Sequence, residues 1–160
     1  MGARAETIAG KFDERYRELS KLVEGLSEAD WKKVTSAEKW PVGVVAHHLA
    51  MAYGSVADLV RVVAAGQAVP PRTMEMVHEN NAKHAKEHAN AGKAETLTLL
   101  KANGVKVAGV VRGLGDAELD RSAPVLTGMP PFTTAQVIER ILINHTDEHM
   151  GSIKATIGAK

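Results

Sequence analysis

Four segments of the chain repeat apolar residues at intervals of three and four, the pattern of helices that each bury one face. The first segment runs from about Ala5 to Leu26. Its apolar face is formed by Ile8, Phe12, Tyr16, Leu19, Leu22, Val23 and Leu26. Ser27 follows as the cap of a short helical turn that reaches Trp31. The pattern predicts an all-α protein.

The second predicted helix begins at Trp40-Pro41 and ends between Gly66 and the Pro70-Pro71 pair. Proline is favoured in a first helical turn because its missing N–H would have no helical partner there. One position of the apolar stripe is a histidine: Val45, His48, Leu49, Ala52, Val56, Leu59 and Val63. We therefore expect this helix to direct one imidazole towards the core.

The third predicted helix is long, from about Thr73 to Leu114, and we expect Gly104 and Gly109 to loosen or bend it. Its core residues lie in the second half: Leu97, Leu100, Val107, Val111 and Leu114. In the first half the apolar residues are alanines, interleaved with Asn81, His84, His88 and Asn90. This half is expected to pack closely or to border a polar cavity.

The fourth predicted helix follows Pro130-Pro131 and is capped by Thr133 or Thr134. Its stripe comprises Val137, Ile138, Ile141, Leu142, His145, His149, Ile153 and Ile157. Two histidines four apart project from one face of a helix, and both occupy positions where the stripe would carry Leu or Ile. Both imidazoles are therefore expected to point inward.

His48, His145 and His149 together suggest a metal site. Three neutral imidazoles from two helices suit a divalent transition ion, and three protein ligands leave a coordination position for water or substrate. Helical bundles hold sites of this kind. The alternative is that each histidine is a hydrogen-bonded core or interface residue.

A comparison of the chain with itself indicates an internal duplication. The sequence 25–31 resembles 113–119, and 48–56 resembles 145–153, so that His48 corresponds to His145 and Ala52 to His149. This correspondence predicts two helical hairpins related by a pseudo-twofold axis. Chance similarity between amphipathic helices is the alternative.

These residues resemble the DinB/YfiT-like superfamily of metal-dependent enzymes over essentially the whole chain. The resemblance rests on ordered motifs: Trp40-Pro41, His48-Leu49, Asn81-Ala82, Gly113-Leu114 with Leu119, and His145-x-x-x-His149-x-Gly151. It implies a single-domain four-helix bundle over residues 1–160, with His48, His145 and His149 as the metal ligands. His47 is then a bystander. Ser152 is a departure, because many relatives carry Gln there.

The segment 145–149 also fits H-x-x-E-H, a protease signature in which Glu148 would be the general base. The short stretch after His149 leaves little room for the further acidic ligand of such proteases. Asp147 and Glu148 are instead expected towards neighbouring helices or solvent, where either carboxylate could orient a ligand imidazole.

His84 and His88 form a second pair four apart, on a mixed rather than apolar face. We interpret them as a solvated or pocket-rim pair near Asn81. The alternative is an auxiliary contact to a metal or an anionic substrate. His78 has no partner at helical spacing and stays unassigned.

Composition excludes several other classes of protein. The chain has 160 residues and no cysteine, which rules out disulfides and a cysteine nucleophile and favours a reducing cytoplasm. Twenty basic and nineteen acidic residues are spread along it with only six aromatics, so no nucleic-acid surface is expected. Neither a secretory leader nor a membrane span is expected.

The resulting hypothesis is an enzyme with zinc or nickel at the three histidines, acting on a small molecule by thiol transfer or hydrolysis through metal-bound water or thiol. The resemblance adds a low-molecular-weight thiol cosubstrate, because the superfamily includes transferases that use bacillithiol or mycothiol and the mycothiol-dependent maleylpyruvate isomerases. The competing hypothesis is a non-catalytic metal-binding or structural bundle. A homodimer is compatible with either, although no sequence feature specifies one.

Overall fold

Residues 2–158 are described by a computed structural model of the protein. Its elements are α1 (Ala3–Glu24), α2 (Glu28–Lys32), α3 (Val42–Ala64), α4 (Met74–Glu87), α5 (Lys93–Arg112), α6 (Asp116–Asp120), β1 (Ser122–Ala123), β2 (Phe132–Thr133), α7 (Thr134–Val137), a π-helical segment (Ile138–Ile143) and α8 (Asn144–Ile157). The segments from α7 to α8 follow without a break and are called the last helix. None of the described helices is long and apolar enough to cross a membrane.

The predicted apolar stripes meet in a four-helix bundle formed by α1, α3, α5 and the last helix. Helix α5 packs against both α1 and α3, and the last helix also packs against both. The two halves of the chain therefore interlock. The largest fully buried side chains come from all four helices: Phe12, Leu19, Leu49, Tyr53, Leu100, Ile138, Leu142 and Ile153. Burial on this scale supplies the main stabilisation of the fold.

Both halves enter their second long helix through equivalent backbone hydrogen bonds. Lys33 directly follows the short helix α2, and its carbonyl accepts a hydrogen bond from Val42 N over 2.8 Å. Arg121 directly follows the short helix α6, and its carbonyl accepts one from Thr134 N, also over 2.8 Å. The two equivalent connections agree with the internal duplication inferred from the sequence.

The prediction of one helix from Thr73 to Leu114 is wrong, because residues 88–92 separate α4 from α5. Gly92 N donates to Glu95 Oε1 over 2.6 Å, which starts α5 afresh, and Trp31 Nε1 donates to the Ala91 carbonyl over 2.9 Å. These contacts satisfy backbone groups that a continuous helix would pair internally. Gly104, by contrast, lies inside an uninterrupted α5.

The last helix differs from the predicted regular helix by its π-helical segment. A π-helical turn contains an additional residue and changes which positions share a face. After it, the fully buried positions are Thr146, Met150 and Ile153. His145 and His149 are partly buried beside this stripe rather than within it. The imidazoles thus lie at the edge of the core.

Two glycines in α5 provide a matched test of this packing. A methyl group at buried Gly104 would lie 2.4 Å from Tyr16 Cε2, so Gly104→Ala should lower the free energy of unfolding by about 1–3 kcal/mol. At exposed Gly109 a methyl group would meet no described atom of another element within 4 Å. Gly109→Ala should raise the free energy of unfolding by about 0.5–1 kcal/mol through helix propensity.

Urea denaturation of both variants would measure these effects. Equal responses of the two variants would contradict the close approach of α1 to α5 at Gly104.

Candidate metal centre

A buried hydrogen-bond chain fixes the two helices that carry the candidate ligands. The Tyr53 hydroxyl donates to Thr146 Oγ1 over 2.9 Å, and Thr146 Oγ1 donates to the Leu142 carbonyl over 2.8 Å. Tyr53 lies on α3, five residues after His48, and Thr146 directly follows His145. Because the Tyr53 hydroxyl is buried, sliding of α3 along the last helix would leave it without a partner. The chain therefore holds the two helices in one register.

The ring nitrogens of His48, His145 and His149 converge at this edge of the core. His145 Nε2 lies 3.2 Å from His48 Nε2 and 2.9 Å from His149 Nε2. The three rings meet edge to face, at interplanar angles of 78–84°. One ligating nitrogen from each residue thus faces a common point.

This arrangement fits a divalent metal better than a hydrogen-bond network. Each ring nitrogen of a neutral imidazole carries either one hydrogen or one lone pair. His145 Nε2 can therefore form a good hydrogen bond with only one of the two Nε2 atoms beside it. The ligand nitrogens of a tetrahedral zinc site, with Zn–N bonds of about 2.0–2.1 Å, lie about 3.3 Å apart. The observed separations of 2.9 and 3.2 Å need only a slight expansion.

Electrostatics keeps two of the three rings neutral and thus able to ligate. Burial, reinforced by neighbouring imidazoles, lowers the pKa of His48 to about 3. Burial and His149 likewise lower the pKa of His145 to about 4, although Glu38 opposes this effect. Both rings therefore present lone pairs at neutral pH, which metal coordination requires.

Glu38 is a site residue that the sequence analysis missed. Its Oε2 lies 2.6 Å from His149 Nδ1, so the carboxylate accepts the Nδ1–H and leaves Nε2 of His149 free to bind a metal. Burial alone would raise the pKa of Glu38, but hydrogen bonds from Ser152 and His149 lower it below its ordinary value. The carboxylate is therefore ionised, and it orients the ligand as carboxylates commonly do behind metal-bound histidines.

Ser152 completes the support of His149 from the same helix. Its hydroxyl donates to Glu38 Oε1 over 2.5 Å. The residue that departs from the expected Gln thus contacts the carboxylate behind the ligand. Glu38 itself lies in the connection between α2 and α3, where Thr35 N donates to the Trp40 carbonyl and Lys39 adopts a positive φ of 66°.

The two acidic residues between the histidines point elsewhere. Asp147 Oδ1 accepts a hydrogen bond from Arg15 Nε on α1 over 3.0 Å. Glu148 is exposed. This placement agrees with the expectation that both carboxylates lie towards a neighbouring helix or solvent, and it leaves Glu148 away from the role of general base.

The other histidines fall into two groups. His47 is 6% exposed, and its Nδ1 lies 2.8 Å from His84 Nε2. His84 and His88 are half-buried, as is Asn81, whereas His78 is exposed. The sequence did not indicate the contact of His47 with His84, because α3 carries consecutive histidines and only His48 lies on the predicted stripe.

Removal of the carboxylate behind His149 should weaken metal binding. Glu38→Gln keeps the shape of the side chain but loses its charge, and the zinc affinity is expected to fall about 10- to 100-fold. Asp147→Asn is the matched control, because its carboxylate pairs with Arg15 rather than an imidazole. Zinc titration against a chelating indicator would measure both affinities. Equal affinities of the two variants would show that Glu38 does not support the ligand.

Known proteins resemble this chain in sequence and in fold. Residues 12–145 match the family model for the mycothiol maleylpyruvate isomerase N-terminal domain. No curated protein matches the chain significantly. A solved structure of YfiT from Bacillus subtilis, described as a probable metal-dependent hydrolase with an unusual four-helix bundle topology, superposes with a TM-score of 0.74. The two sequences are 17% identical, and the match covers 100% of this chain and 91% of the YfiT chain.

The structural match confirms the four-helix bundle, and the two comparisons together confirm the DinB/YfiT-like resemblance. Since the family model spans most of the sequence, the chain belongs to the mycothiol maleylpyruvate isomerase N-terminal domain family.

Proposed function

We propose that this protein is a metal-dependent enzyme that holds a divalent transition ion, zinc or nickel, at His48, His145 and His149. The observation that carries the proposal is the convergence of three imidazole nitrogens at the edge of the core. A bound ion with an open position would lower the pKa of a water or thiol and make it a nucleophile at neutral pH. The substrate is a small molecule, modified by thiol transfer or hydrolysis.

Thiol transfer is the first candidate because the site has no free carboxylate base among the described residues in contact with its ligands. Both oxygens of Glu38 are engaged, one by His149 and one by Ser152. A thiol ionises at a pKa of about 8.5, so it needs much less help to lose its proton than water does. The chain has no cysteine, and the thiol would therefore arrive as a low-molecular-weight cosubstrate.

The family supports this candidate, since its name includes a mycothiol-dependent activity. Hydrolysis is the second candidate, and the description of YfiT as a probable metal-dependent hydrolase favours it.

Zinc- or nickel-loaded protein should be assayed in two ways. The first assay follows consumption of mycothiol, bacillithiol or glutathione with small electrophiles, and the second follows hydrolysis of small esters and amides. We expect turnover in the thiol assay and background rates from the double variant His145→Ala, His149→Ala. His78→Ala removes an exposed histidine and should retain wild-type turnover. Turnover that the double variant retains would contradict the proposed site.

Thermal stability separates this enzyme from a bundle that binds metal only for its structure. The core contains many fully buried apolar side chains away from the ligands, so it should fold without metal. His149→Ala is expected to cost no more than about 1 kcal/mol, which corresponds to about 2–4 °C in Tm for a chain of this size.

In a structural site the binding energy of the metal is folding energy. Absence of a cooperative unfolding transition in metal-free wild type would therefore support the structural alternative, since zinc raises the Tm of wild type in either case. Scanning calorimetry with and without zinc would measure both values.

A further inference from the structure

A second group of three imidazoles, from His47, His84 and His88, lies beside the candidate metal centre. Consecutive residues of an α-helix point about 100° apart, so His47 and His48 leave α3 in different directions. His48 faces the last helix and His47 faces α4. One ligating nitrogen from each of His47, His84 and His88 lies within 4.8 Å of the others.

This second group resembles the first in composition but differs in the orientation of its rings. It combines His47 of α3 with His84 near the end of α4 and His88 directly after it. Its rings lie at 22–35° to one another rather than edge to face. His47 Nδ1 lies 2.8 Å from His84 Nε2, and the His47 and His88 rings stack with centroids 4.3 Å apart and an interplanar angle of 26°. The His84 and His88 rings are 4.8 Å apart. Three imidazole nitrogens that lie within 4.8 Å of one another are a ligand set suited to a transition ion.

The two ring nitrogens of His84 have different surroundings. His84 Nδ1 is buried and has no hydrogen-bond partner among the described residues. A neutral imidazole has one donor and one acceptor nitrogen, so the contact with His47 satisfies only one side of the ring.

Helix α4 contributes no side chain to the hydrophobic core. It contains no buried residue, and its first turn exposes Met74 and Met76. Trp31 fixes the connection that follows α4 through the Ala91 carbonyl. An ion shared between His47 on α3, His84 in the last turn of α4 and His88 directly after it would hold the C-terminal end of this helix against the bundle.

We propose that His47, His84 and His88 bind a second divalent transition ion, which fastens α4 beside the first metal centre. The His84 ring lies 5.6 Å from the His48 ring, and Trp40 lies against both, at 6.3 and 5.5 Å between ring centroids. The second site thus positions a wall of the first. It requires no catalytic activity and goes beyond the proposed function.

Metal content after equilibration with zinc alone tests this proposal. Wild-type protein and His78→Ala should bind two equivalents. The double variant with His84→Ala and His88→Ala should bind one equivalent, and so should the double variant with His145→Ala and His149→Ala. Zinc in the His84→Ala, His88→Ala variant equal to that in wild type would overturn the second site. Loss confined to this variant, with no loss from His145→Ala, His149→Ala, would support the second site and contradict the first.

Amide hydrogen exchange provides a second readout that does not depend on activity. Zinc should slow exchange in Met74–Glu87 of wild-type protein and of the His145→Ala, His149→Ala variant. It should leave exchange there unchanged when His84 and His88 are replaced. Helix α1 is the internal control, because none of the proposed ligands lies on it. Equal protection of α4 by zinc with and without His84 and His88 would overturn the proposal.

Discussion

The packing of α3 against the last helix determines where His48, His145 and His149 lie relative to one another. Helix α3 carries His47 and His48, and the buried contact of Tyr53 with Thr146 fixes its register against His145. The contact is polar and fully enclosed, so a shift along the helix axis would cost hydrogen bonds as well as apolar burial. Apolar packing alone tolerates sliding better than this arrangement does.

A loop outside the bundle completes the centre. Glu38 reaches His149 from the connection between α2 and α3, and the same connection places Trp40 against the His48 ring. The start of α3 thus contributes a ligand, while the residues before it orient a ligand on another helix. Such a centre joins residues 111 positions apart in the chain, and its geometry depends on the whole bundle being folded.

Much of this structure could be predicted from local patterns. The stripes containing Phe12, Val56 and Val107 identified the helices of the core, and all three side chains are buried. Spacing and resemblance selected His48, His145 and His149, whose nitrogens do converge. Glu38 could not be found in this way, because an irregular loop has no periodicity. The break before Gly92 was missed because alanine-rich sequence favours helix, whereas contacts from Trp31 and Glu95 determine the local structure.

The π-helical segment has a consequence for how this chain can vary. The widened turn holds one residue more than an α-helical turn does. Removal of one residue from Ile138–Ile143 would therefore restore regular α-helix and leave the histidines after it close to their present orientation, whereas removal of one residue from regular helix rotates everything after it by about 100°. A change of length by one residue is thus compatible with the metal centre within this segment, but not between His145 and His149.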